Sequence, residues 1–202
     1  MNYLAHAYLS FNRPGLLAGN MISDFIKGKK QFLYPADIQK GIRLHRSIDA
    51  FTDTHEIVGE AKLFFKKDYG LYSSPIVDVI FDHFLASDRQ LFSEPSLAGF
   101  AQQVYHQLDP FQAIFPPPFQ SMFPYMKRQD WLYNYRNKEG IARSLEGLTR
   151  RARYMQDSSR AYQLFLEHYE ALRNCYSAFF PHLQEHALTT MQQLLSNDER
   201  TA

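Results

Sequence analysis

The sequence predicts an all-α fold, a single-domain helical bundle. Three observations predict it. Apolar residues recur at intervals of three and four over most of the chain, which puts them on one face of successive helices. No stretch of useful length alternates apolar with polar residues, as a half-buried strand would. Prolines, glycines and capping side chains sit where such helices would start and stop. An apolar fraction of 45% over 202 residues is ample for one core and fits one domain better than two.

The elements follow in order. Residues 2–11 carry Leu4, Ala7, Tyr8 and Phe11 on one stripe. Pro14 suits the first turn of a second helix running to residue 27, with Leu16, Leu17, Met21, Ile22 and Phe25 inward, and Gly28-Lys29-Lys30 ends it. Pro35 opens a third, in which Ile38, Ile42, His45, Ile48, Asp49 and Phe51 or Thr52 recur at helical spacing. Thr54 can cap a fourth helix containing Ala61, Phe64 and Phe65. Ser73-Ser74-Pro75 pairs a capping serine with a first-turn proline and starts a helix over 76–86. Residues 96–108 read as another. Pro110 and Pro116-Pro117-Pro118 make 109–118 a loop or rigid connector. Residues 127–136 and 141–155 read as helices, and 158–195 is helical with an interruption near Pro181. The proline run is the only plausible boundary. One domain over 1–202 is expected, with the candidate site in 1–90 and a half that packs against it and meets a partner in 91–202.

Bulk properties exclude several classes. A formal net charge of +1 gives no whole-molecule field for nucleic acid or membrane. The one cysteine, Cys175, excludes an internal disulfide and a Cys-rich zinc site. The start of the chain lacks the basic, then apolar, pattern of a secretory signal, and no apolar run approaches the roughly 20 residues of a membrane span. A cytoplasmic protein is expected. With 17 Phe and 13 Tyr, the chain can fill a core well or line an apolar groove.

The chemistry is concentrated in the first half. Asp78 and Asp82 lie four apart in an apolar segment, with His83 next to them, and His45 and Asp49 repeat the spacing on the third helix. Side chains four apart share one helix face. Charged groups on a buried face are costly unless compensated, and two carboxylates stacked together repel unless a cation lies between them. Asp24 and His6, each among apolar neighbours, supply further ligands. This set points to a metal site in a helical bundle and to metal-assisted hydrolysis. Carboxylate with imidazole and no thiolate suits Mn²⁺, Mg²⁺ or Fe²⁺ better than structural zinc. Asp49 or Asp78, if unbound, could orient the attacking water or act as base. The competing account is hydrogen-bonded core histidines and a solvated acidic edge.

Arg43 and Arg46 share a helix face and, with Lys27, Lys29, Lys30 and Lys40 against Asp37 alone, form a basic patch beside the proposed site. It suits an anionic substrate or an acidic partner, since guanidinium groups bind phosphate oxygens in pairs. A second basic group, Arg143, Arg150, Arg151 and Arg153, reads as solvated helix faces. Asp53 and His55 read as a turn and cap, and His106, His168, His182 and His186 as surface or interhelical residues.

At these residues the chain resembles the acyl carrier protein phosphodiesterases. The resemblance rests on Met1-Asn-Tyr-Leu-Ala-His6, on Leu17-Ala-Gly-Asn-Met-Ile-Ser-Asp24-Phe-Ile-Lys-Gly28 and on Gly41-Ile-Arg-Leu-His45-Arg46-Ser-Ile-Asp49. Thr52-Asp53, Asp78-Val-Val-Ile-Phe-Asp82-His83-Phe-Leu and, more weakly, Trp131-Leu-Tyr-Asn-Tyr-Arg136 extend it. It implies an all-α, HD-phosphohydrolase-like fold and a Mn²⁺-dependent reaction that cleaves the phosphodiester joining 4′-phosphopantetheine to a serine of holo-acyl carrier protein. It further implies Asp24, His45, Asp82 and His83 as metal ligands, His6, Asp49 and Asp78 as supporting ligands or their neighbours, and Arg46 as the phosphate contact. The small, acidic carrier protein would meet the basic patch that includes Lys27 and Arg43. An HD-type nucleotide phosphohydrolase, or a non-catalytic helical protein that binds an acidic partner, are the alternatives.

Overall fold

Helical periodicity becomes packing around the crossing of the second and third helices. The structure, a computed structural model, describes residues 1–152, 155 and 157–199. Arg153 and the side chain of Arg151, from the second basic group, lie outside the described residues. Among the described residues all regular structure is helical, with no strand.

The helices are α1 (Tyr3–Tyr8), α2 (Pro14–Ile22), α3 (Ala36–Thr54), α4 (Glu56–Tyr69), α5 (Ser73–Ser87), α6 (Glu94–Leu108), α7 (Pro117–Arg128), α8 (Trp131–Asn134), α9 (Lys138–Arg151), α10 (Ser159–Glu167) and α11 (Tyr169–Glu199). Short 3₁₀ turns join several of them, among them Ser23–Phe25 and Gly28–Leu33.

α2 is buried along its whole length after Pro14, from Gly15 to Ile22, and lies directly on α3. Two glycines permit the close approach. A Cβ on Gly19 would strike the carbonyl oxygen of Ile38, and one on Gly41 would strike that of Leu16. The C-terminal helix α11 packs across α3, α4 and α5, so the end of the chain closes over its first half. Leu4, Leu17, Ile42, Ile48, Ile80, Phe81, Phe165, Phe179 and Leu183 share the core that results.

Several boundaries differ from the sequence reading. α2 stops at Ile22 and gives way to the turn Ser23–Phe25, short of residue 27. Thr54 closes α3 rather than capping α4, because its hydroxyl donates back to the carbonyls of Ala50 and Phe51. Most of 109–118 is helical: a 3₁₀ turn spans Asp109–Ile114, and Pro117 and Pro118 sit in the first turn of α7, where the missing N–H costs nothing. The helix expected over 127–136 is two pieces separated by Asp130, which takes a left-handed conformation at φ 45°. The break in the last segment falls at His168, not Pro181. Pro181 is exposed within α11, while Phe179, Phe180 and Leu183 around it are buried and hold the helix in register.

The α2–α3 crossing yields a stability test. Gly19→Ala or Gly41→Ala forces a methyl group into a backbone oxygen and should cost about 1–3 kcal/mol. Urea unfolding measures it, and parental stability in both variants would contradict the close approach.

Candidate metal centre

Three side chains from two helices converge at this crossing. His6 lies on α1, and His45 and Asp49 lie one turn apart on the inner face of α3. His6 and His45 are buried, and their rings stack with centroids 4.0 Å apart. The Nε2 atom of His6 is 3.2 Å from Oδ1 of Asp49, and that of His45 is 2.9 Å from Oδ2. One donor atom from each of the three lies within 4.8 Å of the others, and among the described residues this is the group with such a spacing.

Asn20 sets the protonation pattern. Its side-chain nitrogen donates to the His6 carbonyl at 2.9 Å and to Ser10 Oγ at 3.1 Å. Its side-chain oxygen therefore faces His6 Nδ1, at 2.8 Å, and its backbone carbonyl faces His45 Nδ1, also at 2.8 Å. Both oxygens can only accept, so each Nδ1 carries a hydrogen. Each Nε2 then presents either a lone pair or a second proton to Asp49. Two neutral imidazoles would aim two lone pairs at a carboxylate, an arrangement that calls for positive charge in the gap. Imidazoles oriented by a hydrogen bond at the far nitrogen, with a carboxylate alongside, are a donor set that fits a divalent cation.

Without a cation, protons supply the charge. Burial alone would pull the His45 imidazole down, but Asp24 and Asp49 overcome it and raise it to about 9. Burial and the neighbouring His45 charge hold His6 below the usual histidine value. Burial would lift Asp49, yet the neighbouring histidines, His45 first, leave it well below the usual carboxylate range. Asp24 accepts from His45 Nε2 at 3.1 Å, which lowers it too. Asp24 is exposed and forms the solvent edge of the cluster, outside the three-residue group.

Other residues that sequence reading placed here go elsewhere. Asp82 is fully buried, and its two oxygens accept the backbone N–H groups of Asn2, Leu4 and Ala5 at 2.7–3.2 Å. It receives the unpaired start of α1, and burial pushes its carboxyl up to about 7. Asp78 accepts from the Met1 ammonium at 2.8 Å. Burial opposes that ammonium charge, but Asp78, Asp49 and Asp82 together hold it above its ordinary value. The cation expected beside the Asp78/Asp82 pair is thus an α-ammonium. His83 points to another side of α5. Its Nδ1 is 2.7 Å from the Tyr135 carbonyl and its Nε2 is 2.9 Å from the Tyr169 hydroxyl, with Phe165 packed against the ring. Arg46 donates to Gln31 Oε1 at 2.9 Å and to the Ile26 carbonyl at 3.1 Å. Arg43 and Lys27 are exposed. Asn20 is the residue of the candidate site that sequence reading passed over. The one signal for it is an amide inside the otherwise apolar run Leu16, Leu17, Ala18, Met21 and Ile22.

Fold and cluster together define an all-α protein with a candidate two-histidine, one-carboxylate metal centre. The family model described as acyl carrier protein phosphodiesterase matches residues 1–183. Relatives named acyl carrier protein phosphodiesterase include one from Photorhabdus laumondii subsp. laumondii, 34% identical over 93% of this chain and 95% of its own. One from Yersinia pestis is 34% identical over 93% and 97%, and one from Yersinia enterocolitica 32% identical over the same shares. The chain belongs to the acyl carrier protein phosphodiesterase family. No solved structure matches it.

Asp82 also gives a test free of catalysis. Asp82→Ala leaves three backbone N–H groups without their acceptor and should cost at least about 2 kcal/mol. Urea denaturation measures it, and a loss under roughly 0.5 kcal/mol would show that α1 does not depend on this carboxylate.

Proposed function

We propose that this protein is a phosphodiester hydrolase that acts on holo-acyl carrier protein, releasing 4′-phosphopantetheine and leaving the carrier serine free. The observation that carries the chemistry is the pair of Nδ1-protonated imidazoles facing one carboxylate. His6, His45 and Asp49 would hold a divalent cation, Mn²⁺ before Mg²⁺ or Fe²⁺ on donor type. Such an ion would polarise the phosphate and lower the pKa of water. The HD-phosphohydrolase-like character belongs to the same proposal.

The chain's own groups do the rest. Asp24 is ionised, open to solvent and joined to His45, so it is the carboxylate placed to orient water and take its proton. Asn20 keeps both imidazoles in the tautomer that frees Nε2. Asp82 and Asp78 fix the start of α1, and with it His6. His83 ties α5 to Tyr135 and Tyr169. Lys27 and Arg43 face solvent near this edge and would meet an acidic carrier. A cleft of about 530 Å³, lined by Tyr3, Trp131, Tyr135, Arg143 and Arg150 among others, offers aromatic walls to the pantetheine arm. It begins on α1, one turn before His6. Among the described residues no helix is long and apolar enough to cross a membrane. A cytoplasmic setting, with no nucleic-acid partner, is part of this reading.

Mass spectrometry of holo-acyl carrier protein incubated with the protein and Mn²⁺ should show loss of the phosphopantetheine mass. His45→Ala and Asp49→Ala should abolish that loss, and Asp24→Asn should slow it by about 10²–10⁴. Full activity in either alanine variant would sink the assignment.

Calorimetric titration with Mn²⁺ tests the centre directly. Asn20→Ala should weaken binding about 10–100-fold. His45 is raised, so it is protonated below about 9 and an entering cation must expel that proton. Apparent affinity should therefore climb about tenfold per pH unit from 7 towards 9. A pH-independent affinity would place the cation elsewhere.

A further inference from the structure

Between α2 and α3 the chain makes a short excursion, the 3₁₀ segment Gly28–Leu33, none of whose residues is buried. Gly28 opens it at φ 57°, a left-handed conformation that other residues adopt with strain. Two large apolar side chains stand at its end, Phe32 60% exposed and Leu33 84% exposed. Adjacent apolar side chains this exposed, on a chain whose other aromatics largely fill the core, mark a contact surface rather than ordinary surface scatter. Lys27, Lys29 and Lys30 beside them are exposed, and residues 27–34 contain no carboxylate. The surface is therefore apolar at its tip and positive around it.

The excursion is pinned. Arg46 grips it at Gln31 Oε1 and also holds the Ile26 carbonyl, two residues before it starts. Arg46 follows His45 on α3, and Asp24, which touches His45, lies two residues before Ile26. One helix thus presents the His/Asp cluster on one face and holds this surface with the next residue.

We propose that Phe32 and Leu33 form an apolar anchor, ringed by Lys27, Lys29 and Lys30, on which the acidic acyl carrier protein docks. The inference rests on the hydrolase reading for the identity of the partner. The lysines guide the negative carrier and set orientation, whereas the two apolar side chains supply the desolvated contact that holds it. Arg46 is a positioning residue for this surface. It keeps the anchor at a fixed offset from the cluster, so that the carrier serine arrives beside His45.

The test is binding of fluorescently labelled apo-acyl carrier protein, read by anisotropy, alongside KM for release from the holo form. Phe32→Ser/Leu33→Ser should raise Kd and KM by about tenfold or more, the scale of losing a contact that dominates an interface. Lys29→Glu/Lys30→Glu should raise both as well and flatten the salt dependence. Leu71→Ser, at an equally bare leucine outside the segment (95% exposed), should stay within twofold of the parent. Thermal melts check that each variant is folded. Parental Kd and KM in the double serine variant would overturn the inference, and so would an equal loss in Leu71→Ser. Binding to phosphatidylglycerol vesicles that the serine pair abolishes, with carrier binding intact, would reassign the surface to a membrane and overturn it too. Should the parent bind carrier through these residues yet release no phosphopantetheine, the hydrolase reading fails and the docking surface stands.

Discussion

The side chain and carbonyl of Asn20 hold the candidate centre together. The amide nitrogen satisfies the end of α1 through the His6 carbonyl and Ser10, its oxygen takes the His6 Nδ1–H, and its backbone carbonyl takes the His45 Nδ1–H. Every polar atom in this exchange is buried, so none can be left unpaired cheaply. The network therefore selects one amide orientation and one tautomer for each imidazole. It also couples α1, α2 and α3 at the point where Gly19 and Gly41 let α2 and α3 meet. Backbone contact, amide orientation and the direction of two lone pairs are parts of one arrangement.

Electrostatics then gives the charge state of the cluster without a cation, an ion pair of His45 with Asp49 beside a second imidazole. Asp49 faces two imidazoles, and only one of them, His45, is basic enough to stay charged near neutrality. His6 is kept neutral by burial and by its stacked partner. The cation-free cluster thus holds a proton on His45 that an entering cation would have to displace. A buried ion pair built for stability would gain from a second fixed donor on Asp49. Here the second neighbour of Asp49 is a neutral imidazole that presents a lone pair instead of a proton, which suits exchange of a proton for a metal ion.

Helical spacing made part of this legible. His45 and Asp49 share a face of α3, as four-residue spacing requires, and the fold class, α3 and α6 follow from periodicity and punctuation, whereas α1 stops at Tyr8, short of Phe11, and α5 begins at Ser73 itself without a serine cap. Spacing says which side chains share a face, but not what that face meets. Asp78 and Asp82 do share one, yet it meets the start of α1, where backbone N–H groups and an ammonium supply the positive partners. Adjacent residues on a helix point about 100° apart, so Asp82 and His83 address different neighbours, α1 and the α8–α11 side. Arg46 and His45 diverge for the same reason. The prolines misled by position: Pro117 and Pro118 fall in a first turn, and Pro181 faces solvent on a helix whose flanking residues are locked in the core.

That divergence of neighbouring residues on α3 bears on how a large substrate could be handled. A carrier protein brings its serine to the cluster only if its whole body is correctly placed, and an error of an ångström at the reacting atoms is costly. Mounting the docking surface on a separate loop would leave that offset soft. Here α3 turns His45 and Asp49 inward and Arg46 outward within one and a half turns, and Arg46 clamps the Gly28–Leu33 excursion against the same rigid helix. α3 itself is held by α2 on one side and α11 on another. Recognition and chemistry therefore share one reference element, and the left-handed Gly28 turns the chain after Ser23–Phe25 so that Phe32 and Leu33 stand exposed before α3 begins.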